Sequence, residues 1–381
     1  MVRHCHIALC AAVAALVTLG LVMLASTSAW VGGEEAPYHF FWRQLWMALM
    51  GVGAAFALAM VDPRHLRRWW PWLLFGGCLL LALCYVPGVA EEKYGERRWI
   101  RVLGFQFQPS EIAKALTMIA LAGWFARWQT EIKSFWRGFV VPALLLGIPF
   151  CLVFFETDMG TAVGIGASGF AVLFAAGTRL LYLLPTGAAG IAAFCYLVQS
   201  NENRWARIEA WLQLLDGTGD VKGKAWQQFL ALLAFGNGGV AGQGLGNGTQ
   251  KVRMPFAESD FIFPTVGEEL GLWGTLGTVL CYVVIAVAGL GIASCASTVF
   301  NRCLAIGLTA VVVVPAMINI GVVTAALPNT GLPLPFVSHG GTNLVFTLGA
   351  VGLLCGIHLR SRHEERKGEP LTAKKTYEVR L

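Results

Sequence analysis

CLAIGLTAVVVVPAMINIGVVTAAL, from Cys303 to Leu327, contains no Asp, Glu, Lys or Arg. Crossing a hydrocarbon layer of roughly 30 Å takes about 20 apolar residues in a helix, so this stretch reads as a membrane span. Working outward, nine further segments meet or approach that length: Ile7 to Ala29, Phe41 to Val61, Trp70 to Val89, Glu111 to Phe125, Phe139 to Phe155, Thr161 to Ala176, Leu180 to Val198, Gly267 to Ala293 and Asn343 to His358. Composition agrees. Of 381 residues, 56% are hydrophobic and 13% charged, and there are 45 Gly and 14 Trp; that charged share is about half of a soluble domain's. Mean hydropathy is +0.63. These values exclude a soluble enzyme of ordinary composition and predict an all-α integral membrane protein of about ten transmembrane helices. One polytopic domain is expected over residues 1–365, with a cytoplasmic tail at 366–381.

The first apolar run follows Arg3, as in a signal peptide, but its length of about 19 apolar residues exceeds the usual 7 to 15, so a retained helix is expected. Lys and Arg in short loops set the orientation. With the N-terminus inside, the inner segments carry Arg64, Arg67 and Arg68, then Arg127, Lys133 and Arg137, then Arg179, Arg302 and the tail from Arg360 to Arg380. Both termini then face the cytoplasm. Outside lie Glu34 and Glu35, the loop from Ala90 to Pro109, the acidic turn from Glu156 to Asp158, and a long loop over 199–266 between the seventh and eighth spans. The net charge of +6 is accounted for by these clusters, so nucleic acid is not a partner. The ten Cys sit in apolar runs or at their cytoplasmic ends, without a CxxC pair, which argues against disulfides and a structural zinc.

Polar chemistry collects in three outer segments. The first runs from Tyr94 to Lys114, where Ser110 reads as a helix N-cap and Glu111 and Lys114 share a helical face. A capped helix with a local ion pair is one reading; an ionisable Lys114 inside the apolar boundary, which is costly unless functional, is the other. The second is the long loop. It holds an amphipathic surface helix at Arg204 to Leu215, an apolar helix at Trp226 to Phe235, and the glycine-rich run Gly236 to Gly248, which lacks the GxxxxGK[ST] pattern of a phosphate loop. The third is Leu327 to Thr342, whose prolines and glycines forbid helix and predict a rigid surface beside the other loops. Its His339 is a base or, more simply, a packing residue. Asp260, just before the apolar Phe261, Ile262 and Phe263, is either a helix N-cap or a partly desolvated base. Glu268 and Glu269 are weaker acidic candidates.

GERRWI (95–100), QPSEIAK (108–114), ETDMGTA (156–162), GQGLGNGTQK (242–251), ESDFIFPTVGEELG (258–271) and INIGVVTAALPNTGLPLPFVSHGGTN (318–343) together resemble the SEDS family (shape, elongation, division and sporulation) over nearly the whole chain. TQK, GEELG and PLPF resemble its division-type branch. The resemblance implies a glycosyltransferase of the bacterial cytoplasmic (inner) membrane that polymerises peptidoglycan strands from lipid II on the outer face during cell division. Asp260 matches the catalytic acid and would act as general base on the acceptor's sugar hydroxyl. Arg98, Lys114, Lys251 and Arg253, with Arg97 and Arg101 behind them, are the cations for the departing pyrophosphate. Glu111 and Ser338 are further substrate contacts. A divalent cation, Mg or Mn, suits the same oxygens; metal ligands are not specified by the spacing. The implied partners are a class B penicillin-binding protein, which is a transpeptidase, and other divisome proteins. The rival readings are a lipid II flippase, which the spans and charges also suit, and a non-catalytic division scaffold.

Overall fold

The structure is a computed structural model that describes residues 4–31, 38–86, 89–93, 96–102, 105–156, 158–217, 223 and 225–366. Glu34, Glu35, Tyr94, Gly95, Thr157 and the tail beyond Arg366 lie outside the described residues.

Helices stand at all ten expected positions. They are α1 (Cys5–Val31), α2 (His39–Met60), α3 (Pro63–Leu83), α4 (Pro109–Arg127), α5 (Val141–Phe155, entered through a π-helical turn at Trp136–Val140), α6 (Met159–Ala176), α7 (Leu180–Gln199), α11 (Ile262–Ser294), α12 (Val299–Val323) and α13 (Gly341–Arg366). Eight of them are long and apolar enough to cross a membrane. The other two are α3, whose first turns carry Arg64, Arg67 and Arg68, and α4, which carries Glu111, Lys114 and Arg127. Asp62 explains why α3 starts before Trp70: its side chain accepts the Arg64 N–H at 2.8 Å and Pro63 fills the first helical position. At α4 the expected cap is corrected. Gln108 occupies the N-cap position and Ser110 lies inside the helix, fully buried, because Pro109 takes the first turn. α4 is buried nearly all round, at Met118 through Ala122 and at Phe125, as befits a helix inside a bundle rather than at its lipid face.

The long loop contains α8 (Glu202–Asp216), α9 (Trp226–Gly238) and the short α10 (Gln250–Arg253). The first two coincide with the helices expected there. α9 packs on α11 and α12. Between Ala90 and Pro109 the sequence reading had no strands, yet β1 (Ala90–Lys93), β2 (Glu96–Val102) and β3 (Phe105–Phe107) form an antiparallel sheet in that order, with Ile100 opposite both Ala90 and Phe107. The signal was the alternation around Trp99, Ile100 and Val102, short enough to pass for loop.

The segment from Leu327 to Gly340 is non-helical as expected, and its first residues are accessible, but its second half is not a surface. Leu332, Leu334, Phe336 and Val337 are buried. Tyr282, well inside α11, donates its hydroxyl to the Pro335 carbonyl, and Asn319 of α12 donates to Leu332 O at 2.6 Å. Gly20 of α1 lies so close that a Cβ there would be 2.8 Å from Phe336 O. Irregular backbone at membrane depth must be satisfied by protein, and Pro333 and Pro335 lighten that demand by removing two N–H donors.

Two backbone approaches fix the frame. α13 lies along α2 with Gly352 and Gly356 against the Ala55 and Ala59 carbonyls, a small-residue seam that lets the chains touch. At the kink of α11, Gly271 adopts φ 66° and ψ −159°, and a Cβ there would be 2.4 Å from Gly242 N. That backbone region belongs almost to glycine alone. Gly271→Ala is therefore expected to destabilise the protein by about 1–3 kcal/mol or more, read as a lower melting temperature in detergent.

Candidate functional site

Asp260 lies two residues before the start of α11 and is held from both sides. Its carbonyl accepts from Asn319 Nδ2 at 2.8 Å, and its Oδ1 accepts from Ser259 Oγ at 3.1 Å. Ser338 Oγ donates to Ser259 O at 2.7 Å while accepting from Leu334 N at 2.7 Å. His339 N donates to Glu258 O at 2.8 Å. The residues 258–260 are thus stitched to the buried 327–340 segment and to α12. Oδ2 faces Gly331, where a Cβ would come within 3.5 Å. Asp260 keeps part of its surface accessible, yet protein surrounds it. Burial pushes its carboxyl up to about 6, against the pull of the Ser259 hydrogen bond and the Arg98 charge. The N-cap reading fails, since Phe261 holds that position.

Arg98, on β2, is the cation in whose field Asp260 lies. Its Nη1 is 3.8 Å from Asp158 Oδ2. Asp158 also accepts from Gln108 Nε2 at 2.7 Å and caps α6 through the Thr161 N–H at 3.1 Å. Two residues earlier, burial and the Asp158 charge push the Glu156 carboxyl up to about 8, which keeps it protonated at neutral pH. Asp158 and Gln108 were absent from the expected site residues. Both stand in the stretches ETDMGTA and QPSEIAK, where Asp158 reads as an ordinary acidic turn.

Two of the expected cations are paired within the protein. Lys114 is buried in an ion pair with Glu111 at 2.8 Å, and Asn343 Nδ2 adds a bond to the same carboxylate at 2.9 Å. Lys251 is buried too, donating to Glu269 Oε1 at 2.6 Å, Ser26 Oγ at 2.8 Å and Gly246 O at 2.9 Å. An ammonium has three protons, and these contacts use them. Both lysines are thus held by protein partners, as are Glu111 by Lys114 and Asn343 and Ser338 by Ser259 and Leu334. Glu268 accepts from Thr249 Oγ1 and from the Gln250 N–H, holding the glycine-rich loop. Arg253 is exposed on α10, and Arg101 is exposed on β2; the Arg97 side chain lies outside the described residues. A cavity of about 260 Å³, lined by Phe107, Ile112, Thr342, Val345 and Phe346, adjoins the Glu111–Lys114–Asn343 cluster.

Asp260, in the field of the Arg98 guanidinium that Asp158 holds, can take a proton from a hydroxyl, while Arg98 presents positive charge to an anion. Among the described residues no group of three or more His, Cys, Asp or Glu converges to hold a metal.

A family model described as "Cell cycle protein", covering FtsW, RodA and SpoVE, matches residues 7–363. The probable peptidoglycan glycosyltransferase FtsW of Geobacter metallireducens is 36% identical, over 91% of this chain and 93% of its own. Stage V sporulation protein E of Bacillus subtilis is 36% identical, over 91% of this chain and 95% of its own. Among solved structures, a chain of a peptidoglycan synthase complex described as coordinating polymerization and crosslinking superposes with a TM-score of 0.72 at 26% identity, covering 93% of this chain and 97% of that one. The rod shape determining protein RodA of Thermus thermophilus gives 0.68 at 26%, covering 93% and 96%.

Proposed function

We propose a course of reaction from one premise: this chain belongs to the FtsW, RodA and SpoVE family, the SEDS proteins. It is a multi-pass bacterial membrane protein and a peptidoglycan glycosyltransferase. Its substrate is lipid II, and its site faces the outside of the inner membrane with both termini in the cytoplasm, a placement supported by the alternation of basic loops. Its partner is a class B penicillin-binding protein, supported by the similarity to a chain of a synthase complex that joins polymerization to crosslinking.

The acceptor's sugar hydroxyl gives its proton to the Asp260 carboxylate as its oxygen attacks the anomeric carbon of the lipid-linked donor. The bond to the pyrophosphate breaks, and the carbon is inverted. Arg98 meets the charge that develops on the leaving group, and Asp158 holds that guanidinium in place. The observation that carries this reading is Asp260 itself, partly accessible, stitched to two elements, and raised to about 6 beside Arg98.

A base must be ionised to act, and the ionised fraction falls about tenfold per pH unit below the pKa. Polymerisation of labelled lipid II by the purified protein with its partner is expected to be level above about pH 7 and to fall through an apparent pKa near 6. In Arg98→Ala the acid limb moves to higher pH, because the cation that favours the carboxylate is gone. A rate that stays level down to about pH 4.5 contradicts a base of this pKa.

A further inference from the structure

Away from the outer site, two thiols distant in sequence meet. Cys10 Sγ of α1 lies 3.6 Å from Cys355 Sγ of α13, across 345 residues of chain. One turn toward the cytoplasmic ends, the rings of His6 and His358 lie 4.9 Å apart. The two contacts place antiparallel helices in register, with His6 four residues before Cys10 and so on its face of α1. Cys10 is exposed on the protein surface near the start of α1 and Cys355 is half-buried, so a small oxidant that enters the edge of the bilayer meets Cys10 first, and Cys355 is placed to resolve it.

We infer that Cys10 and Cys355 form a peroxide-responsive pair whose oxidation staples α1 to α13. The Cys10 sulfur attacks hydrogen peroxide, the O–O bond breaks, and a sulfenic acid and one water result. The Cys355 sulfur then attacks the sulfenic sulfur, the S–O bond breaks, and hydroxide leaves to take up the thiol proton as a second water. Two thiols lose two electrons and the peroxide gains them. A disulfide needs its two sulfurs at about 2.05 Å, so the pair closes by side-chain rotation with a small approach of the helices. The consequence reaches the outer face. Sixteen residues along α1, about 24 Å away, Ser26 binds Glu269 and Lys251; at the far end of α13, Asn343 binds Glu111.

The test uses the full chain in lipid nanodiscs, exposed to hydrogen peroxide, quenched and alkylated, with the state of all ten cysteines read by peptide mass spectrometry. A dithiothreitol-reversible Cys10–Cys355 linkage, two hydrogens lighter than the free pair, is expected, with a higher melting temperature in the oxidised protein only. In Cys10→Ser both changes disappear and Cys355 is alkylated in full. Oxidation that stops at sulfinic acid on Cys10 with Cys355 still alkylated overturns the inference. So does full alkylation of both after peroxide, or protection from alkylation that a zinc chelator removes. None of these readouts depends on glycan synthesis.

Discussion

Asp260→Asn keeps the fold and cuts polymerisation of labelled lipid II by about 100- to 10,000-fold, the usual worth of a positioned general base. Asn fits the same space and can accept the Ser259 hydrogen bond at Oδ1, while the backbone bond from Asn319 is untouched. Melting temperature should therefore hold or rise, since a carboxylate disfavoured by burial is replaced by a neutral amide. The loss should appear in the rate at saturating substrate and should have no acid limb near pH 6. Wild-type and variant protein yielding equal polymer would remove Asp260 from the chemistry.

Glu269→Ala is the second large effect, and it falls on stability. It takes from the Lys251 ammonium, whose side chain is 0% exposed, its paired carboxylate, while the contacts to Ser26 and the Gly246 carbonyl remain. Breaking a buried pair by removing one partner costs about 3–5 kcal/mol. Gly246 N and Ser26 also lose their acceptor, so the glycine-rich loop and the end of α1 loosen together. Thermal unfolding in detergent should show the fall, and Lys251→Met combined with Glu269→Leu should recover much of it, because an apolar pair replaces a charge left alone. A single variant as stable as the wild type would show that the lysine finds another partner.

Those two residues mark the boundary of what the sequence discloses. Spans announce themselves by length, and the exclusion of helix from Leu327 to Gly340 follows from its prolines. Lys114 is conspicuous as an ion in apolar surroundings, and its partner Glu111 is three residues away, within reach of helical geometry. Lys251 enters only through the resemblance, and Glu269 and Ser26 are brought to it by the α11 kink and by α1, which no local pattern encodes. Burial of the proline segment depends in the same way on Gly20, Tyr282 and Asn319, each in a different helix. The site at Asp260 was legible through resemblance and an apolar flank. Its link to Asp158 was not, because that contact requires a short sheet to carry Arg98 across.

The seam of Gly352 and Gly356 against the carbonyls of α2 has a mechanical meaning. Where main chains touch, no side chain is left to yield, and α2 with α13 behaves as one stiff beam through the bilayer. Gln44 on α2 grips the Ser338 carbonyl at 2.9 Å. Through Gln44, Ser338 and Ser259, a displacement of this pair of helices reaches the residue next to Asp260.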